Sequence, residues 1–216
     1  MTKKIAAILL SINCFLLANG QIKKGAVLLG GQISYSNSTI DYMGTQRSSN
    51  FKRGIYNVSL GKSYKENTVY GFNASYSPFS YSNYNYGSEY ANLKSHQISL
   101  GLYFRNYKPL AKDLYFFTEA GITYTNDNQE TTDSSGVSSG TIKLNGGELY
   151  LTPGISYRIF NNLHLEIIIP KILSIQYSNT STFTNLVNYS SDNFSFNTSL
   201  NSNGLSNLGV GFHFIF

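Results

Sequence analysis

Eight stretches of this chain alternate apolar and polar residues with period two, and that rhythm limits its possible folds more than any other feature. They run Ala26–Ser36, Phe51–Gly61, Thr68–Ser77, Leu93–Asn106, Leu114–Thr125, Glu148–Phe160, Leu163–Tyr177 and Leu205–Phe216. In the fourth, Ile98, Leu100, Leu102 and Phe104 fall on one side and Gln97, Ser99, Gly101 and Arg105 on the other. In the last, Leu208, Val210, Phe212, Phe214 and Phe216 oppose Asn207, Gly209, Gly211 and His213. Beyond the first twenty residues no segment sustains helical spacing. Each stretch has about the length a tilted strand needs to cross a bilayer, roughly 9–11 residues.

Alternation alone does not separate a soluble sandwich, with its apolar faces inward, from a transmembrane barrel, with its apolar faces outward. The connections do. Those at Ser63–Asn67, Tyr107–Asp113 and Asn161–Asn162 are short, whereas Asn37–Asn50, Pro78–Asn92, Asn126–Gly147 and Ser178–Asn203 are long, and the two kinds take turns along the chain. Short turns on one side and long loops on the other are the asymmetry of outer-membrane barrels. The expectation is an all-β fold, an eight-stranded antiparallel up-and-down transmembrane barrel with both termini on the periplasmic side. Pro153 and Pro170 fall inside the sixth and seventh stretches, where bulges or an early end to pairing are expected.

Composition agrees with a lipid-facing wall. Charged residues make up 12% of the chain, about half the share usual in soluble proteins. Lys3 and Lys4 precede a mostly apolar run from Ile5 to Leu17, followed by Ala18 and Gly20: a secretory signal, too short for a spanning helix. Residues 1–20 are read as the signal peptide and 21–216 as the barrel domain. Cys14, the single cysteine, lies within the apolar run behind Asn13, a poor lipobox neighbour, so the mature chain is expected to be free of cysteine. The remaining positive charge is scattered, with no basic cluster to suggest nucleic acid.

The final strand, Leu208-Gly-Val-Gly-Phe-His-Phe-Ile-Phe216, resembles the C-terminal signal strand of bacterial outer-membrane barrels, with Val210, Phe212, Phe214 and Phe216 as the assembly signal. With the signal peptide and the loop asymmetry, the mature chain resembles the small, porin-like outer-membrane β-barrel family that includes the OmpA/OmpX-type barrels. The resemblance implies location in the cell outer membrane, contact with its lipid, and insertion by the barrel-assembly machinery through the last strand. Because Trp is absent, interfacial girdles must rest on Tyr and Phe.

Arg105, Glu119, Arg158, His164, Glu166 and His213 fall on the polar faces, which line a lumen barely wide enough for side chains. Charges there are expected to pair across it, as a structural plug or as a narrow gated pore. A lipid-modifying barrel enzyme is the lesser alternative: His164 and Glu166 share a face and could form an acid–orienter couple, but they sit beside a two-residue turn and no nucleophile–base arrangement is legible from spacing, so no catalytic residue, metal or cofactor is expected. The alternative is surface recognition through the long loops, whose partner the sequence does not name. One of these, carrying Phe79, Tyr81, Tyr84, Tyr86 and Tyr90, alternates partly and reads better as strand prolonged beyond the membrane.

Overall fold

The computed structural model describes residues 22–41, 48–86, 89–133, 137–169, 171–184, 188–198 and 209–216. The expected signal peptide with Cys14, Pro170 and residues 205–208 of the last expected strand lie outside them. The strands are β1 (Val27–Asp41), β2 (Ser48–Lys65), β3 (Thr68–Tyr86), β4 (Glu89–Ala111), β5 (Leu114–Thr132), β6 (Ser138–Phe160), β7 (Leu163–Ile168), β8 (Leu173–Thr184), β9 (Asn188–Asn197) and β10 (Gly209–Ile215). No helix occurs among the described residues.

All pairings are antiparallel. β1 to β6 pair in chain order, β7 and β8 both pair with β6, β9 pairs with β8, and β10 joins β7 to β1. Thus β7 and β8 are two lengths of one stave, β9 and β10 two lengths of the next, and eight staves close the barrel. Closure leaves that part of the wall without a free edge, which only a barrel achieves. Val27 and Phe216 exchange backbone hydrogen bonds at the seam, 3.0 and 2.9 Å.

The seventh stave breaks opposite a proline. Gly154 pairs with Ile168 and Leu151 with Leu173, so Thr152 and Pro153 face four positions, 169–172. Ile169 and Ile172 still donate to the Pro153 and Leu151 carbonyls, at 3.0 and 2.9 Å. Pro153 itself keeps its place opposite Thr118 with no register shift there. The irregularity falls on the opposing stave.

The wall is inside out relative to a soluble protein. Ile33, Val58, Leu100, Leu102, Ile122, Leu149 and Val210 all point outward, each more than half exposed. Above them stand Tyr35, Tyr56, Tyr76, Tyr124 and Tyr177, and on the short-turn side Tyr64, Tyr70, Phe104, Tyr157 and Phe216, all exposed. These are two girdles built from Tyr and Phe, with the apolar band between them.

Most of the expected long loops are strand. β3 runs to Tyr86 and β4 starts at Glu89, while β5 and β6 extend to Thr132 and from Ser138. The stretch Ser178–Asn203 holds the end of β8 and all of β9. Above the girdle the outer face meets water, so both faces turn polar and the alternation fades, although the backbone ladder continues. The prolonged staves form a collar on the long-connection side.

Candidate functional site

Inward-pointing side chains divide the lumen into two levels. At the short-turn end, Leu28, Val69, Tyr107, Tyr115 and Phe117 form a buried apolar cluster, joined by Ile22 from the segment before β1. That segment is tied to the β2–β3 turn: Ile22 N–H donates to Asn67 Oδ1 at 2.9 Å, and Asn67 N–H to the Ile22 carbonyl at 3.0 Å. Asn67 takes φ 58°, the left-handed region Asn tolerates in a tight turn.

An ion-paired layer lies on this cluster. Arg105 and Glu119 are register partners on β4 and β5, with Nη2–Oε2 at 2.6 Å and Nε–Oε2 at 2.8 Å. Arg105 also reaches across the lumen to Glu166 on β7, with Nη1 2.8 and 3.0 Å from its two carboxylate oxygens. Tyr107 donates its hydroxyl to Glu166 at 3.0 Å, and Tyr150 donates to Glu119 at 2.9 Å. The guanidinium carbon sits 4.5 Å from the Phe117 ring centroid. His213 Nδ1 is 3.0 Å from Glu166, and its Nε2 meets the Ser59 hydroxyl at 3.1 Å. Glu166 is fully buried. A charge so enclosed is tolerable only when its oxygens find donors, and here both do.

Of the six residues expected to pair in the lumen, the structure brings together Arg105, Glu119, Glu166 and His213. Arg158 stands apart, holding Asp113 of the β4–β5 turn at 2.8 and 2.5 Å where it is partly exposed. His164 meets the Ser156 hydroxyl through Nδ1 at 3.0 Å and packs on Tyr115, with no hydrogen bond to Glu166. Both departures have one cause: they lie nearer the short-turn rim, below the Arg105 layer. Tyr103 and Tyr107 are not singled out by the sequence, although each is two residues from Arg105 and so shares its face. One neighbour is owed to a glycine. A Cβ on Gly30 would come within 2.2 Å of the His213 ring, so only glycine leaves the imidazole room.

Above the ion pairs a cavity of about 760 Å³ opens away from the short turns. Neutral hydrogen-bonding groups dominate its walls, among them Gln32, Asn57, Ser75, Gln97 and Thr123. Lys171 and Glu148 form an ion pair there.

A closed antiparallel wall, apolar outside between two aromatic girdles and charged inside, satisfies every requirement for spanning lipid without exposing backbone. The chain folds as an outer-membrane β-barrel. Val210, Phe212, Phe214 and Phe216 line the outer face of its last strand, with Phe212–Phe214 and Phe214–Phe216 ring centroids 6.0 and 6.5 Å apart.

The barrel matches no known family model and no curated protein. Among solved structures it is similar to the outer membrane protein OprG from Pseudomonas aeruginosa, at 13% identity and TM-score 0.49, covering 90% of this chain and 97% of that one. It is also similar to a major outer membrane protein from Thermus thermophilus, at 13% identity and TM-score 0.45, covering 88% and 99%. Neisserial surface protein A aligns at 14% identity and TM-score 0.36, covering 92% and 100%. These values are too low to transfer any role to this barrel.

The hydroxyl–imidazole–carboxylate order of Ser59, His213 and Glu166 has the outline of a hydrolytic triad. Two features of its surroundings stand beside that outline. Glu166 spends its charge on Arg105 and Tyr107, which weakens its hold on the imidazole. The backbone N–H groups around Ser59 are engaged in the β1 and β3 ladders.

Proposed function

We propose that this barrel is a closed, non-enzymatic wall element of the outer membrane, inserted through its last strand by the barrel-assembly machinery. Its lumen does not conduct in the resting state. The observation behind this reading is the stacking of two seals, with the Arg105–Glu119–Glu166 layer resting on the apolar cluster of Tyr107, Tyr115 and Phe117. A pore would require parting the buried ion pairs of Arg105 with Glu119 and Glu166. It would also have to displace packed aromatic rings.

Single-channel recording on the mature protein refolded into a planar bilayer tests the reading, with heat-dependent gel mobility reporting folding. The expected trace is silent, for the native chain and for Glu119→Gln alike. Reproducible openings of the native chain, altered by Glu119→Gln, would replace the plug with a gate.

The height of the collar favours a second role, surface recognition. Its outer face offers Asn, Ser and Thr on staves that rise well above the tyrosine girdle, a composition suited to adaptable hydrogen bonding.

A further inference from the structure

On the outer wall, just above the tyrosine girdle, β2, β3 and β4 carry a row of three side chains in register: Lys52, Ser80 and Lys94. The two lysines stand two strands apart, about 10 Å between backbones, with the serine between them. The next row down holds Gly54, Pro78 and His96, and below it Tyr56 and Tyr76. Pro78 has no N–H to give, and the β2–β3 pairing skips it, running from Arg53–Phe79 to Tyr56–Tyr76. Gly54 adds no side chain, and the Tyr56 ring leans over it, 3.0 Å from where a Cβ would sit. A shallow groove of about 220 Å³ results, lined by Lys52, Ser80 and Lys94 above and by Tyr35, Tyr56 and His96 below.

Neither lysine has an ionic partner among the described residues, although Glu130 of β5 lies directly opposite Lys94. His96 is held by the Tyr76 hydroxyl at 2.8 Å. Two ammonium groups that make no ion pair among the described residues, flanking a hydroxyl, make a cradle for a phosphate. The groove's position decides which phosphate. It opens on the lipid side of the wall, at headgroup height, and the apolar column of Ile33, Val58, Ala74 and Leu100 begins directly beneath it.

We propose that the Lys52–Ser80–Lys94 groove binds the phosphorylated headgroup of an outer-leaflet lipid, whose acyl chains run down the apolar wall below. The inference rests on the barrel spanning the outer membrane with its short turns inside. It goes beyond the closed-wall reading by giving the wall a specific lipid.

Native mass spectrometry of the mature barrel extracted from mixed phosphatidylcholine and lipid A bilayers tests it. The native chain retains lipid A in preference to phosphatidylcholine. The double variant K52Q/K94Q loses that preference by about 30-fold, the effect of two interfacial cations. K52R/K94R keeps it, and so does E130Q, which alters a neighbouring charge without removing a lysine. Equal retention by K52Q/K94Q and the native chain overturns the proposal, as does loss in E130Q. Displacement of lipid A by inorganic phosphate alone would assign the groove to a free anion and overturn the lipid. Heat-dependent mobility, run in parallel, separates these results from a failure of the barrel itself, since all four chains fold alike if only the groove is altered.

Discussion

The two levels of the lumen are lined by the same staves and yet are built on opposite terms. At the short-turn end, large side chains fill the space and the charges are fully engaged: Phe117, Tyr115 and Glu166 are at most 1% exposed. On the collar side the same alternation delivers Ser, Thr and Gln, and a cavity of about 760 Å³ stays open. The difference teaches where this barrel's stability and its adaptability reside. Packing and ion pairing hold one end, so substitutions there are costly. The other end is held mainly by backbone ladders, so its side chains can vary.

The largest expected effect comes from breaking the plug. Arg105→Met removes the single guanidinium that serves both Glu119 and Glu166, leaving the two buried carboxylates to Tyr150, Tyr107 and His213 alone. A loss of about 3–5 kcal/mol is expected in urea unfolding of the refolded barrel. A smaller loss would mean that water already reaches the layer. Next is the outer wall: Leu102→Arg, at mid-band, should cost about 2–4 kcal/mol. Asn128→Arg, in the collar on the neighbouring stave, should cost close to nothing, and equal costs would misplace the membrane. Gly30→Ala pushes a methyl into the His213 ring, and about 1–3 kcal/mol of overpacking should appear in the same unfolding curve. The smallest effect belongs to the cavity. Ser99→Ala, which loses a 2.8 Å hydrogen bond to Thr125, should shift stability by about 1 kcal/mol or less.

The same contrast explains what the sequence can tell. Inside the lipid band the outer face must be apolar and the inner face polar, so Ile98–Phe104 of β4 and Val210–Phe216 of the last stave announce themselves as strands. In the collar both faces are wet, and Asn126–Thr132 of β5 or Asn188–Asn197 of β9 look like loop although they are paired with their neighbours. The plug is half legible. Arg105, Glu119, Glu166 and His213 stand out as charges on polar faces, but Tyr107 and Tyr150, which complete their hydrogen bonds, are hidden among the many tyrosines of the wall. Only their parity with Arg105 and Thr152 marks them as inward. Asp113 escapes for another reason: it sits in a turn, where alternation says nothing about direction. The lysine groove depends on three strands sharing a register, which no single stretch of sequence displays.

If the signal peptide is cut where expected, the mature chain lacks cysteine, and the boundary between the two levels can be mapped by adding one thiol at a time. Ser75→Cys lines the cavity, and Ser156→Cys lies beneath the ion pairs, where the native side chain has no exposure. Each is treated with a membrane-impermeant maleimide in reconstituted vesicles, with the reagent supplied first outside and then on both sides. An outward-opening cavity over a sealed floor predicts labelling of Ser75→Cys from the collar side and none of Ser156→Cys from either side. Labelling of Ser156→Cys from the collar side would mean that the lumen is continuous past Arg105, and the closed-barrel account would be wrong.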